Sequence, residues 1–113
     1  MKKLPLFTWE RDYQRLRQSL ARIGYISQGS VLDRSTLKSP RSGFQWTRKV
    51  RRKTITLALS AEQFQALDQA IKNRQLLQQT LCKMERLSRQ ILFAKLPDTR
   101  RRKSLKKRTL GLI

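Results

Sequence analysis

The chain has 113 residues, 27 Lys or Arg, 7 Asp or Glu and no His, which gives a formal net charge of +20. Hydrophobic residues make up 38%, so any core is small. With no His and one Cys, Cys82, the chain lacks the residues for a zinc site of two or more Cys/His, a disulfide framework or a Ser–His or Cys–His catalytic pair.

Periodicity begins in Thr8 to Ile23. Trp9, Tyr13, Leu16, Leu20 and Ile23 recur at helical steps and make one apolar face. Arg11, Arg15, Gln18 and Arg22 occupy the other. Thr8 suits the N-cap, Glu10 the positive helix start, and Gly24 a left-handed residue that ends the helix. Before this helix, Leu4 to Phe7 is too short for a signal-peptide core of about 7–15 residues.

Tyr25 to Leu32 reads as a weak strand, bent or bulged at Gly29. Ser35 to Gly43 is a loop of Ser, Thr, Pro, Gly and basic residues. With Arg34 just before it, the loop offers Lys38 and Arg41 either to a phosphate backbone or to solvent.

The clearest strand signal is Phe44 to Leu59. Phe44, Trp46 and Val50 alternate with polar residues, and after Arg51-Arg52-Lys53 so do Ile55, Leu57 and Leu59. Two strands and a hairpin follow. Side-chain parity restricts the loop to an even number of residues. A two-residue loop at Arg51-Arg52 pairs Val50 with Lys53, Arg48 with Ile55, Trp46 with Leu57 and Phe44 with Leu59, and the large apolar residues share a face. A three-residue loop scatters them. The turn has no Gly or Asn, which disfavours a tight type I′ geometry and favours a four-residue loop. Gln45, Thr47, Lys49, Thr54 and Thr56 form the other face. Arg48, Lys49, Arg51, Arg52 and Lys53 crowd the tip. A two-stranded ribbon of this kind fits the major groove of B-DNA.

Ser60 and Gln63 form a capping-box pattern that opens a long helix. No Gly or Pro follows until Pro97, so the helix is expected over 61–96. Its apolar residues are Phe64, Leu67, Ile71, Leu76, Leu77, Leu81, Met84, Leu87, Ile91 and Leu92, with a slip near Lys72 to Gln75. Such a rod, about 54 Å long, either breaks near Asn73 and folds back or pairs with another chain. A continuous helix with self-association or a protein partner is favoured. Cys82, beside Leu81, reads as a buried structural thiol.

Beyond Pro97, the residues Arg100, Arg101, Arg102, Lys103, Lys106, Lys107 and Arg108 put seven charges in nine positions. Such a block is expected to be disordered alone and to lie along a polyanion when bound. In a eukaryote it would also match a nuclear-localisation cluster. The expected organisation is thus a single α+β domain over 1–96, with an N-terminal helix, a small antiparallel sheet and a long helix, followed by a basic arm over 97–113.

Several short stretches resemble a family of small basic prokaryotic proteins of unknown function, often encoded beside transposases and other mobile-element genes. They are Gly29-Ser30-Val31, Gly43-Phe44-Gln45-Trp46, Lys53-Thr54-Ile55-Thr56, Ser60-Ala61-Glu62 and Asn73-Arg74, within roughly residues 20–92. Many members carry a cysteine cluster between the first strand and the hairpin. Here Leu32 to Ser42 has no Cys. The resemblance implies no activity; it favours DNA over RNA and a mobile-element setting. A basic three-stranded sheet followed by a helix is also similar, at the level of fold, to the DNA-binding arms of integrases.

A charge of +20 on so short a chain calls for a polyanion. Nucleic acid is the commonest, ahead of an anionic membrane surface or an acidic protein. No apolar run reaches the roughly 18–20 residues of a membrane span. The expected protein is intracellular (cytoplasmic or nucleoid-associated in a prokaryote), non-enzymatic and without cofactor or metal. It binds nucleic acid, DNA in preference to RNA, as an accessory or structural subunit of a recombination- or transposition-type complex. The alternative is an RNA-binding structural component of a ribosome or other ribonucleoprotein. The candidate contacts are Lys38, Arg41, Arg48, Lys49, Arg51, Arg52 and Lys53, together with the arm residues Arg100 to Lys103 and Lys106 to Arg108. A metal-dependent nuclease needs clustered carboxylates. Glu10 and Asp12 are two apart on a helix and face apart, and Glu62 and Asp68 are six apart.

Overall fold

A computed structural model describes residues 5–96. The basic block Arg100 to Arg108 lies outside the described residues. The architecture is α+β, in the order α1 (Pro5–Leu20), β1 (Ser30–Asp33), a 3-10 turn (Arg34–Thr36), β2 (Phe44–Val50), β3 (Lys53–Leu59) and α2 (Ala61–Lys95). The three strands form one antiparallel sheet in the order β1-β2-β3. The chain divides into two compact units. One is Ile23–Leu77; the other joins Met1–Arg22 to Gln78–Ile113.

In the second of these units, α1 begins at Pro5, three residues earlier than the Thr8 cap expected from sequence. Thr8 and Glu10 therefore lie inside the helix, and its first turn has no acid. The helix also ends early, at Leu20. The Ser19 hydroxyl donates to the Leu16 carbonyl, and the amides of Ala21 and Arg22 reach back three residues to Gln18 and Ser19. These tighter bonds close the last turn without a left-handed glycine. The expected face holds: Trp9, Tyr13, Leu16 and Leu20 are half-buried, while Arg11, Arg15 and Gln18 are exposed. Glu10 pairs with Lys95 Nζ at 2.6 Å, which ties the start of α1 to the end of α2.

In the unit Ile23–Leu77, the expected strand over Tyr25 to Leu32 is reduced to Ser30–Asp33. Tyr25 is 93% exposed and has no strand neighbour. Its carbonyl instead accepts the Nδ2 amide of Asn73 at 2.9 Å, and Ser27 N donates to Ala70 O. Gly24 owes its place to this approach, not to a helix cap. A Cβ there would lie 3.2 Å from Asn73 Nδ2. Gly29 has φ +101°, and a Cβ there would come within 2.5 Å of both Thr47 O and Trp46 Nε1. The gap lets Trp46 Nε1 donate to Gln28 O at 2.9 Å. Asp33 closes the following turn by accepting from the Ser35 hydroxyl and amide. These bonds, the hydroxyl foremost, hold its carboxyl below the usual aspartate range, with a small opposing effect of burial.

α2 is unbroken over its 35 residues. The capping box forms: Ser60 Oγ accepts from Gln63 N, and Gln63 Oε1 accepts from Ser60 N. Leu59, Ala70, Thr80 and Met84 are buried, and the Phe64 ring lies 4.5 Å from that of Phe44. The slip near Lys72 to Gln75 is bridged by polar positions. Half-buried Arg74 and buried Thr80 keep the inward stripe in step. Leu76, Leu81 and Leu92 consequently face outward, and so does Cys82, which is exposed and not the buried thiol expected.

The Gly29→Ala substitution forces a side chain into a left-handed conformation and against a backbone oxygen. It is expected to destabilise the sheet unit by at least about 1–3 kcal/mol, seen as a lower urea midpoint. An unchanged midpoint would contradict the close approach.

Candidate nucleic-acid interface

The β2–β3 register is the one that parity requires. Phe44 pairs with Leu59, Trp46 with Leu57, Arg48 with Ile55 and Val50 with Lys53. The loop is the two-residue one, not the longer one favoured by the absence of Gly and Asn. Arg51 and Arg52 both take positive φ, 48° and 69°, as a type I′ turn demands. That conformation costs an L-residue other than glycine, and more so without Asn or Asp, roughly 1–2 kcal/mol. Its twist matches that of the strands, and, like any even loop, it leaves Phe44, Trp46, Leu57 and Leu59 on one face.

β1 pairs with β2 only from Phe44 to Thr47. Beyond the Thr47–Thr56 pair the sheet is two strands wide. Three further pairs remain before the turn: Arg48–Ile55, Lys49–Thr54 and Val50–Lys53. In this projecting ribbon only Val50 is half-buried; every other residue from Arg48 to Ile55 is exposed. Alternation places Arg48, Val50, Lys53 and Ile55 on one face and Lys49 and Thr54 on the other. Arg51 and Arg52 cap the end. The Arg48 guanidinium sits 5.8 Å from the centre of the Trp46 ring, within cation–π range.

Nothing in the neighbouring sequence neutralises these charges. Between Asp33 and Glu62 there are eight Lys or Arg and no acid. That long acid-free stretch is a signal that reading by short motifs passes over. Among the described residues the ion pairs include Arg11–Asp12, Lys72–Asp68 and Lys95–Glu10, and none of these uses a ribbon cation.

The expected contact residues separate into groups. Arg48, Lys49, Arg51, Arg52 and Lys53 are brought together. Lys38 and Arg41 are exposed, but they lie on the loop that joins β1 to the start of β2. That is the base of the hairpin, about 23 Å from the tip along seven residues of strand. Arg34 is diverted to structure. Its Nε donates to Gln45 Oε1, and its backbone bonds to Gly43, Leu37 and Arg41 fold the loop back on itself.

Elsewhere, α1 and the end of α2 line a cleft of ≈ 650 Å³ that includes Phe7, Glu10, Tyr13, Ile91 and Lys95. Its carboxylate, Glu10, is the one paired with Lys95. No group of three or more Asp, Glu or Cys able to hold a metal ion occurs among the described residues. No described helix is long and apolar enough to cross a membrane.

No protein-family model, curated protein or solved structure matches the chain.

Replacing Arg51 by Asn and Arg52 by Gly supplies the residues that a type I′ turn prefers. The double substitution is expected to raise stability by about 1 kcal/mol, read as an increase in Tm, while weakening binding to polyanions. A fall in Tm would contradict the turn geometry.

Proposed function

We propose that the chain is a non-enzymatic nucleic-acid-binding protein that prefers DNA to RNA and acts as an accessory subunit of a nucleoprotein complex. The observation that carries this reading is the projecting ribbon, in which five cations without an acidic partner among the described residues gather around a turn built from two arginines at positive φ. Strain kept at an exposed position is a pointer to function. Here Asn-Gly would relieve the strain but remove the charge. A polyanion offsets that concentration of charge by binding it and releasing condensed counterions.

The basic arm, Arg100 to Arg108, is assigned to the same task, as a strand-tracking extension with seven charges. Lys38 and Arg41 belong to a second contact near the base of the hairpin. The recombination- or transposition-type setting follows the family resemblance of the sequence. An accessory subunit also needs a protein contact, and α2 leaves Leu81 and Leu92 exposed for one.

Changing Arg48, Lys49, Arg51, Arg52 and Lys53 together to Gln tests the reading. For duplex DNA, the slope of log K against log salt is expected to flatten by about 0.9 for each phosphate that the variant no longer neutralises. An unchanged slope and affinity would remove the ribbon from the interface. Tighter binding to structured RNA than to DNA by the unaltered chain would favour the ribonucleoprotein alternative.

A further inference from the structure

The ribbon's dimensions and its distribution of charge narrow the ligand. We propose that Arg48 to Ile55 enters the major groove of B-form duplex DNA tip first. This inference rests on the nucleic-acid reading above and goes beyond it, in naming the form of the duplex and the groove.

Depth is the first consideration. Three residue pairs separate the end of the three-stranded region from the turn. At about 3.3 Å per residue they give a free ribbon about 10 Å long. The B-DNA major groove is about 8.5 Å deep and about 12 Å wide, and admits a two-stranded ribbon. The third strand, β1, begins where the ribbon has emerged, so it stops at the rim. A-form RNA offers no equivalent, because its major groove is too narrow for side chains to read.

Charge is the second consideration. A sheet that binds nucleic acid across one face needs cations on that face alone. This ribbon carries them on both faces and at the end: Arg48 and Lys53 on one side, Lys49 on the other, and Arg51 and Arg52 at the turn. Such a ribbon standing in a groove has a phosphate backbone on each side. The lateral cations then face the two walls, and the two turn arginines face the floor. Arginine is suited to the floor, where the O6 and N7 acceptors of guanine match its planar fork.

The polar residues agree with this orientation. Thr54 is exposed on the Lys49 face and has no acid near it in sequence.

The test uses the full chain and three duplexes of one sequence: plain DNA, DNA in which cytosines carry glucosylated 5-hydroxymethyl groups that fill the major groove, and RNA. Fluorescence anisotropy gives the affinities at one salt concentration. The expected result is at least tenfold weaker binding to the glucosylated DNA and to the RNA. Netropsin, which occupies the minor groove, is expected to leave binding to plain DNA unchanged. Arg51→Gln with Arg52→Gln should lose most of the discrimination while keeping weak, salt-sensitive binding. Equal affinity for plain and glucosylated DNA would overturn the groove assignment and leave nucleic-acid binding standing. Displacement by netropsin would move the ribbon to the minor groove. Absence of binding to all three would overturn both this inference and the function on which it rests.

Discussion

The side-chain parity of one hairpin governs the sheet unit. Phe44, Trp46, Leu57 and Leu59 can share a face only if an even number of residues separates β2 from β3. The structure meets that condition with the shortest common loop, two residues. The rest follows from that register. Phe44 stacks near Phe64 at the start of α2, Leu59 is buried, and Trp46 reaches the Gln28 carbonyl across the space left by Gly29. A shift of one residue would turn these side chains toward solvent and bring the threonines inward.

That same register determines where the charge goes. The even loop falls on Arg51 and Arg52 and forces both into a conformation that favours Asn and Gly. β1 stops four residues into β2, so the basic end of the hairpin projects without a third strand. The apolar half of β2–β3 organises the unit, and the basic half is left free to meet a partner. In the proposed function, the cost of two arginines at positive φ is the cost of keeping charge at the point of contact.

Much of this was legible because it depends on alternation and caps, both local. The strand limits at Phe44 and Leu59, the pairing of Phe44 with Leu59, the Ser60–Gln63 box and the stop before Pro97 follow from period two, period 3.6 and side-chain hydrogen bonding. The turn type was not legible from residue preference, because two-residue and four-residue loops serve the same register and the turn that forms holds Arg51 and Arg52 at positive φ against that preference. The start of α1 was obscured because Thr8 competes with Pro5 as a signal, and the role of Gly24 because its constraint comes from Asn73, which lies 49 residues later. Cys82 and Leu81 read as inward by apolar spacing alone, whereas Arg74 and Thr80 carry the stripe. Of the candidate contacts, the cluster at the tip was legible as a run of charge. The distance of Lys38 and Arg41 from that tip was not, because it depends on which end of β2 their loop joins.

Amide hydrogen exchange of the full chain, with and without a short DNA duplex, tests the central claim most directly. The account predicts slowed exchange in the ribbon, strongest around Arg51 and Arg52, the turn residues exposed in the free protein. It also predicts little change in α1, whose face of Arg11, Arg15 and Gln18 would then be a solvated surface. Unchanged exchange across Arg48 to Thr54 in a saturated complex would contradict it, because the ribbon would then not be where the nucleic acid sits.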